Sequence, residues 1–142
     1  MTNALFDKGR NAFLQASINW VADEIHAQLI CIVNAPTGYT FNASLDEFFA
    51  SVPTASRIGF SSPSLSSKTA TAGIADAADT LFTAASGPTV SALVLWKKGA
   101  AADHTNAPLI AYIDTATGMP VQPNGGDITA QWDSGTNKIF KL

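Results

Sequence analysis

The sequence predicts a mainly β fold: a jelly-roll-like β-sandwich with a short N-terminal helix and one short internal helix, forming a single domain over residues 1–142. Three observations point there. His26 to Val33, Ala92 to Lys97 and Leu109 to Asp114 are apolar runs enriched in β-branched residues, the pattern of strands covered on both faces. Ile128, Ala130 and Trp132 alternate with Thr129, Gln131 and Asp133, as in a strand with one dry and one wet face. Turn clusters at Thr117-Gly118-Met119-Pro120 and Pro123-Asn124-Gly125-Gly126 separate short segments at the spacing of sandwiches and barrels. The length of 142 residues suits one core, since domains commonly run to roughly 100–150 residues and bury enough surface to fold without a disulfide or metal.

At the N-terminus, Asn3 is placed to cap a helix over Ala4 to Ala16, with Leu5, Ala12, Phe13 and Ala16 at helical spacing and Asp7, Lys8 and Arg10 facing water. Gly9 in its middle costs about 1 kcal/mol relative to Ala, so either the helix packs closely there or it is marginal. Residues 1–16 read as an amphipathic arm that orders on assembly. Ser44-Leu45-Asp46-Glu47 has the layout of a capping box ahead of Phe48 and Phe49, with a stop at Pro53. From residue 55 to 85, the Ser-rich stretch 61–67 and the Thr-rich stretch 68–82, broken at Gly73 and at Asp76-Ala77-Ala78-Asp79, set no sharp strand limits. Asn124-Gly125 predicts a tight hairpin between Val121 and Ile128, with positive φ at both central residues. Lys138 to Leu142 predicts a last strand, paired inside its own sheet or against a neighbouring subunit, because a free strand would expose Ile139, Phe140 and Leu142 together with an open backbone edge.

Charged residues make up 13% of the chain, against about 25% in a typical soluble domain. Ala, Ser and Thr take the surface positions instead, which leans toward a surface meant for a neighbour. Eight basic residues against eleven acidic give a net charge of −3, and only Lys97 and Lys98 are adjacent, so no basic footprint for nucleic acid exists. The longest apolar runs fall far short of the roughly 20 residues that span a bilayer, and the first residues lack a basic-then-apolar signal layout. This predicts synthesis in the cytoplasm and no membrane partner. Cys31, inside an apolar run, reads as a small buried hydrophobe.

No catalytic, cofactor or metal site is expected. His26 and His104 have no Cys or second His at ligand spacing, and no Gly-x-Ser-x-Gly elbow occurs. Gly118, Gly125 and Gly126 precede strands rather than a helix N-terminus, which argues against a phosphate cradle. Asp76, Asp79 and Asp103 lack calcium-loop spacing and read as turn residues. Asp23-Glu24 and Asp46-Glu47 read as a strand lead-in and a first helical turn rather than as paired acids for glycoside cleavage. Trp20, Trp96, Trp132, Phe48 and Phe49 are dispersed, as core residues are.

Several stretches are similar to one family. Asn3-Ala4-Leu5-Phe6-Asp7-Lys8-Gly9-Arg10, Ile18-Asn19-Trp20, Leu109 to Asp114, Gly118 to Ile128 with its Pro-Asn-Gly-Gly-Asp-Ile turn, Trp132, and the ending Ile139-Phe140-Lys141-Leu142 resemble small virion structural proteins of tailed bacteriophages. The resemblance runs almost end to end and is loosest between Ala55 and Ala85. It implies a head cement or decoration protein on the capsid surface, binding the major capsid protein and copies of itself as a dimer or trimer. It carries no catalytic motif and no cofactor. The N-terminal Leu5, Phe6 and Phe13 and the C-terminal Ile139, Phe140 and Leu142 are the expected interface residues. Small β-rich subunits also build tail tubes, stoppers and head-to-tail connectors, so that alternative stays open. A receptor or glycan-binding module is a third reading, with Tyr39 as its best exposed aromatic.

Overall fold

The apolar runs form the middle of an antiparallel sheet whose strands bury both faces. The computed structural model describes residues 3–32, 38–59 and 62–142; Val33, Ser61 and the first two residues of the 1–16 segment, which figure in the expectations above, lie outside them. In chain order the elements are β1 (Ala4–Leu5), α1 (Asp7–Leu14), β2 (Ile25–Ile30), 3-10 turns at Phe49–Ser51 and Thr54–Ser56, β3 (Arg57–Ile58), β4 (Thr69–Thr71), β5 (Ile74–Asp76), β6 (Thr80–Phe82), β7 (Ala92–Lys97), β8 (Leu109–Ile113), β9 (Ile128–Ala130) and β10 (Phe140–Lys141). They make a five-stranded sheet of order β1-β8-β7-β2-β3, a three-stranded sheet β10-β5-β4 and a two-stranded sheet β6-β9. Every pairing is antiparallel. The fold is thus mainly β and sandwich-like, with a second layer split into two short sheets instead of one closed one.

Period-two alternation assigns the large sheet's side chains to two cores. Ala27, Leu29, Leu93 and Leu95 face one cluster, which the short sheets cover with Leu65, Ala75 and Phe82 and the N-terminal region covers with Ile18 and Trp20. Ile30, Val94, Trp96, Leu109 and Tyr112 face the other, closed by Phe6, Tyr39, Phe49 and Val52. Both faces of β2 and β7 are therefore dry, and each fully buried Leu or Ile contributes about 1.5–3 kcal/mol relative to exposure.

Ile110 and Ala111 are consecutive, yet both belong to the first cluster. A register shift explains it: Leu95 pairs with Ala111 but Trp96 with Leu109, so Ile110 is an extra residue in β8. The bulge seats α1. A Cβ on Gly9 would stand 2.4 Å from the Leu109 carbonyl oxygen, and the Phe6 N–H donates to the Ile110 carbonyl at 3.0 Å. Gly9 is a close-packing glycine.

Several expected details differ. The helix is shorter than Ala4 to Ala16, because Ala4 and Leu5 pair with Tyr112 and Ala111 as an edge strand. Asn3 does not cap it; the Asn3 side-chain oxygen accepts from the Asp114 and Thr115 N–H groups. The segment is built into the domain rather than projecting as an arm, since Phe6 is wholly buried. The Ser44 capping box also does not form. Ser44 Oγ donates to Asp7, and Asn42 takes the capping role by accepting from the Ser44 and Leu45 N–H groups while Asp46 accepts from the Asn42 N–H. Two 3-10 turns follow in place of one internal helix.

The Val121–Ile128 hairpin is absent. Val121 pairs with Val90 and Ile128 with Phe82, so residues 121–130 run antiparallel to 80–90. Gly125 has φ +87° while Asn124 has no positive φ, and the Gly125 N–H donates to the Ala85 carbonyl at 2.8 Å. The turn serves a long-range pairing in place of a local one. A two-residue hairpin does occur at Ala72-Gly73, with φ +54° and +77°, joining β4 to β5. The C-terminal strand is paired within the chain: Phe140 lies opposite Ala75 and Lys141 opposite Ile74.

Candidate functional site

Two surface concavities stand out, and the chain termini build one of them. It is an apolar groove of about 340 Å³ lined by Phe13, Ile18, Trp20, Ile74, Phe140 and Leu142 among others. Its floor is aromatic. The Phe140 ring meets Trp20 edge-on at 5.1 Å and Phe13 at 6.0 Å, and the Trp20 indole N–H donates to the Asp76 carbonyl at 3.1 Å. Leu142 is 55% exposed and Leu14, at the end of α1, is 86% exposed. Alongside runs β4, whose three residues are all exposed and whose outer side has no strand partner among the described residues.

The expected interface residues therefore divide. Phe13, Phe140 and Leu142, from opposite ends of the chain, come together in the groove. Leu5 and Ile139 are partly buried against the first core cluster. Phe6 lies inside the second with no exposed surface, so it offers nothing to a neighbour in this conformation. Tyr39 is likewise buried. Its hydroxyl donates to Asp46, and burial, with that carboxylate beside it, pushes the phenol well above its ordinary value.

The second concavity is a cleft of about 510 Å³ at the β3 edge of the large sheet, and its lining is aromatic and basic. His26 and Trp96 are cross-strand partners on β2 and β7, and their rings stack at 4.8 Å. Trp96 also stacks on Phe49 at 4.3 Å with the planes 4° apart. The Arg57 guanidinium lies 4.1 Å above the Phe49 ring. His104 meets Phe49 and Trp96 edge-on. Burial, reinforced by the charge of Arg57, holds His104 below its usual pKa, so it is predominantly neutral at pH 7.

Both His26 nitrogens are engaged, one at the Ser62 carbonyl and one at Glu24. Glu24 also pairs with Lys98 at 3.1 Å, and the Lys98 and His26 contacts hold its carboxyl below the ordinary value. Among the described residues no three His, Cys, Asp or Glu side chains gather as a metal site would require, and no helix is long and apolar enough to cross a membrane. The cleft was not foreseen from the sequence. Its members are scattered from residue 26 to residue 104, and only strand register assembles them.

No family model matches the chain, and the search of curated proteins found no match.

Proposed function

We propose that the chain is a structural protein of a tailed-phage particle, a capsid cement or decoration protein that binds the major capsid protein and copies of itself, stabilising the shell by buried area and catalysing nothing. The observation that carries this reading is the groove in which Phe13, Phe140 and Leu142 meet beside the edge strand β4. An open apolar patch favours association with a partner, and an exposed strand edge offers it main-chain hydrogen bonds. The 13% charged content agrees, because depletion of charge marks the core of interfaces. The end-to-end resemblance described above supplies the virion setting. The same surface serves the alternative of a tail, stopper or connector subunit, which would close rings through heterologous contacts.

Binding to shells stripped of the protein tests the proposal. Leu142→Glu places charge on a groove side chain that is already exposed, so the melting temperature should stay within about 2 °C of the parent. The variant should bind shells at least about tenfold more weakly, as expected when a charge enters an apolar contact. Equal binding by parent and variant would remove the groove from the account.

A further inference from the structure

We infer that the cleft at the β3 edge is a carboxylate-binding subsite, in which Arg57 takes an acidic group of the protein partner while its apolar stem lies against the aromatic wall of Trp96 and His104. The inference rests on the reading that the chain binds protein, and it adds the chemistry of what is bound.

Arg57 carries the argument. Its guanidinium is half-buried and pressed on the Phe49 ring, and burial lowers its pKa. A guanidinium so placed is ordinarily matched by a carboxylate. Among the described residues none pairs with it. Backbone carbonyls hold it instead: Nε and Nη2 donate to Val52 at 3.0 and 2.7 Å, and Nη2 donates to Phe49 at 3.0 Å. These bonds take up the Nε and both Nη2 hydrogens, fix the plane of the guanidinium and, among the described residues, leave only Nη1 without a hydrogen bond. Arg57 lines the open cleft.

The surroundings point to an anion as well. Glu24 is already engaged by Lys98 and His26, and Asp103, next to His104, accepts from Thr105. The chain as a whole carries −3, yet with Lys98 and Glu24 paired to each other this cleft is left with the charge of Arg57. The two N–H bonds of Nη1, held in a fixed plane over an aromatic face, suit one carboxylate through charge-assisted hydrogen bonds that a freely turning point charge would not direct. They do not suit a nucleic-acid backbone, which calls for a basic stripe.

Nitrogen-15 NMR of the labelled full chain tests this with four probes. They are a blocked hexapeptide bearing one central Glu and an amidated C-terminus, the same peptide with Gln, the Gln peptide with a free C-terminal carboxylate, and inorganic phosphate. The Glu peptide should move the Arg57 Nε–H signal and the backbone signals of Trp96 and His104 saturably, with a Kd on the order of 1 mM for one isolated subsite. The neutral Gln peptide should not move them. A response to the free C-terminus alone would assign the occupant as a chain end, and a response to both acids would assign any peptide carboxylate; either sustains the inference. Arg57→Lys, which keeps the charge and loses the Nη1 donor held in place by the backbone carbonyls, should weaken binding about tenfold. Phosphate moving the same signals as strongly as the Glu peptide would overturn carboxylate specificity, and no response to either acid would overturn the subsite. The proposed interface can fail independently: in that case the Glu peptide still binds while Leu142→Glu leaves shell binding unchanged.

Discussion

Two glycines show how differently the same residue type constrains a chain. Gly125 has φ +87° and nothing near its missing Cβ, so only backbone strain opposes a side chain there. Gly125→Val should cost more than about 1 kcal/mol, because a β-branched residue resists that conformation. Gly9 is helical and blocked by backbone. Gly9→Ala improves helix propensity by about 1 kcal/mol, yet should still destabilise by a net 1–3 kcal/mol, since the Leu109 carbonyl cannot step aside as a flexible side chain would. Thermal denaturation separates the two cases, and a Gly9→Ala protein more stable than the parent would show the α1 contact to be loose. The tyrosines set an alkaline limit. Burial, with Asp114 beside it, pushes Tyr112 up to about 12, and Tyr39 is raised further. A phenol whose folded pKa lies above its unfolded value of about 10 contributes stability that is full below pH 10 and is lost as pH climbs toward 12. Stability measured from pH 8 to 11 should fall at the upper end, and the fall should be shallower in Tyr39→Phe.

Among the elements, the strands were legible where burial governs them and obscure where turn chemistry does. The runs at 26–33, 92–97 and 109–114 announced β2, β7 and β8 because two dry faces demand continuous apolar sequence, and the alternation at 128–133 announced β9. The turns misled. Asn124-Gly125 has the composition of a two-residue hairpin, but pairing with residues 80–90 prevailed over the local choice. Ala72 holds a positive φ that its residue type does not advertise. Asn19 and Asn42 cap turns of the same design, each accepting two N–H groups while an Asp four residues later accepts the asparagine's own N–H. The capping-box pattern had directed attention to Ser44 instead. Replacing Asn42 with Ala should cost about 0.5–2 kcal/mol, and replacing Ser44 with Ala less. The last strand gives a sharper test. The Ile139 and Leu142 N–H groups donate to Ala75 and Gly73 at 3.1 and 2.9 Å, so both amides should exchange slowly in the isolated protein. Removing residues 138–142 should lower the melting temperature whatever the oligomeric state.

Over the whole molecule, the groove and the cleft occupy different parts of the fold and draw on different physics. The groove joins the two ends of the chain through β10 and α1, and its apolar side chains were conspicuous at both termini of the sequence. The cleft depends on cross-strand register and on an arginine whose isolation is visible only once its neighbours are placed, so no local pattern revealed it. The low charge, the exposed β4 edge and the apolar groove are the features on which the proposal of an associating subunit rests. The measurement that tests this most directly is quantitative mass spectrometry of purified particles, counting this chain against the major capsid protein. A copy number commensurate with the shell, one per capsid subunit or per local symmetry axis, is the predicted result. Absence from particles, or only enough copies to form a single ring, would contradict a role on the capsid surface.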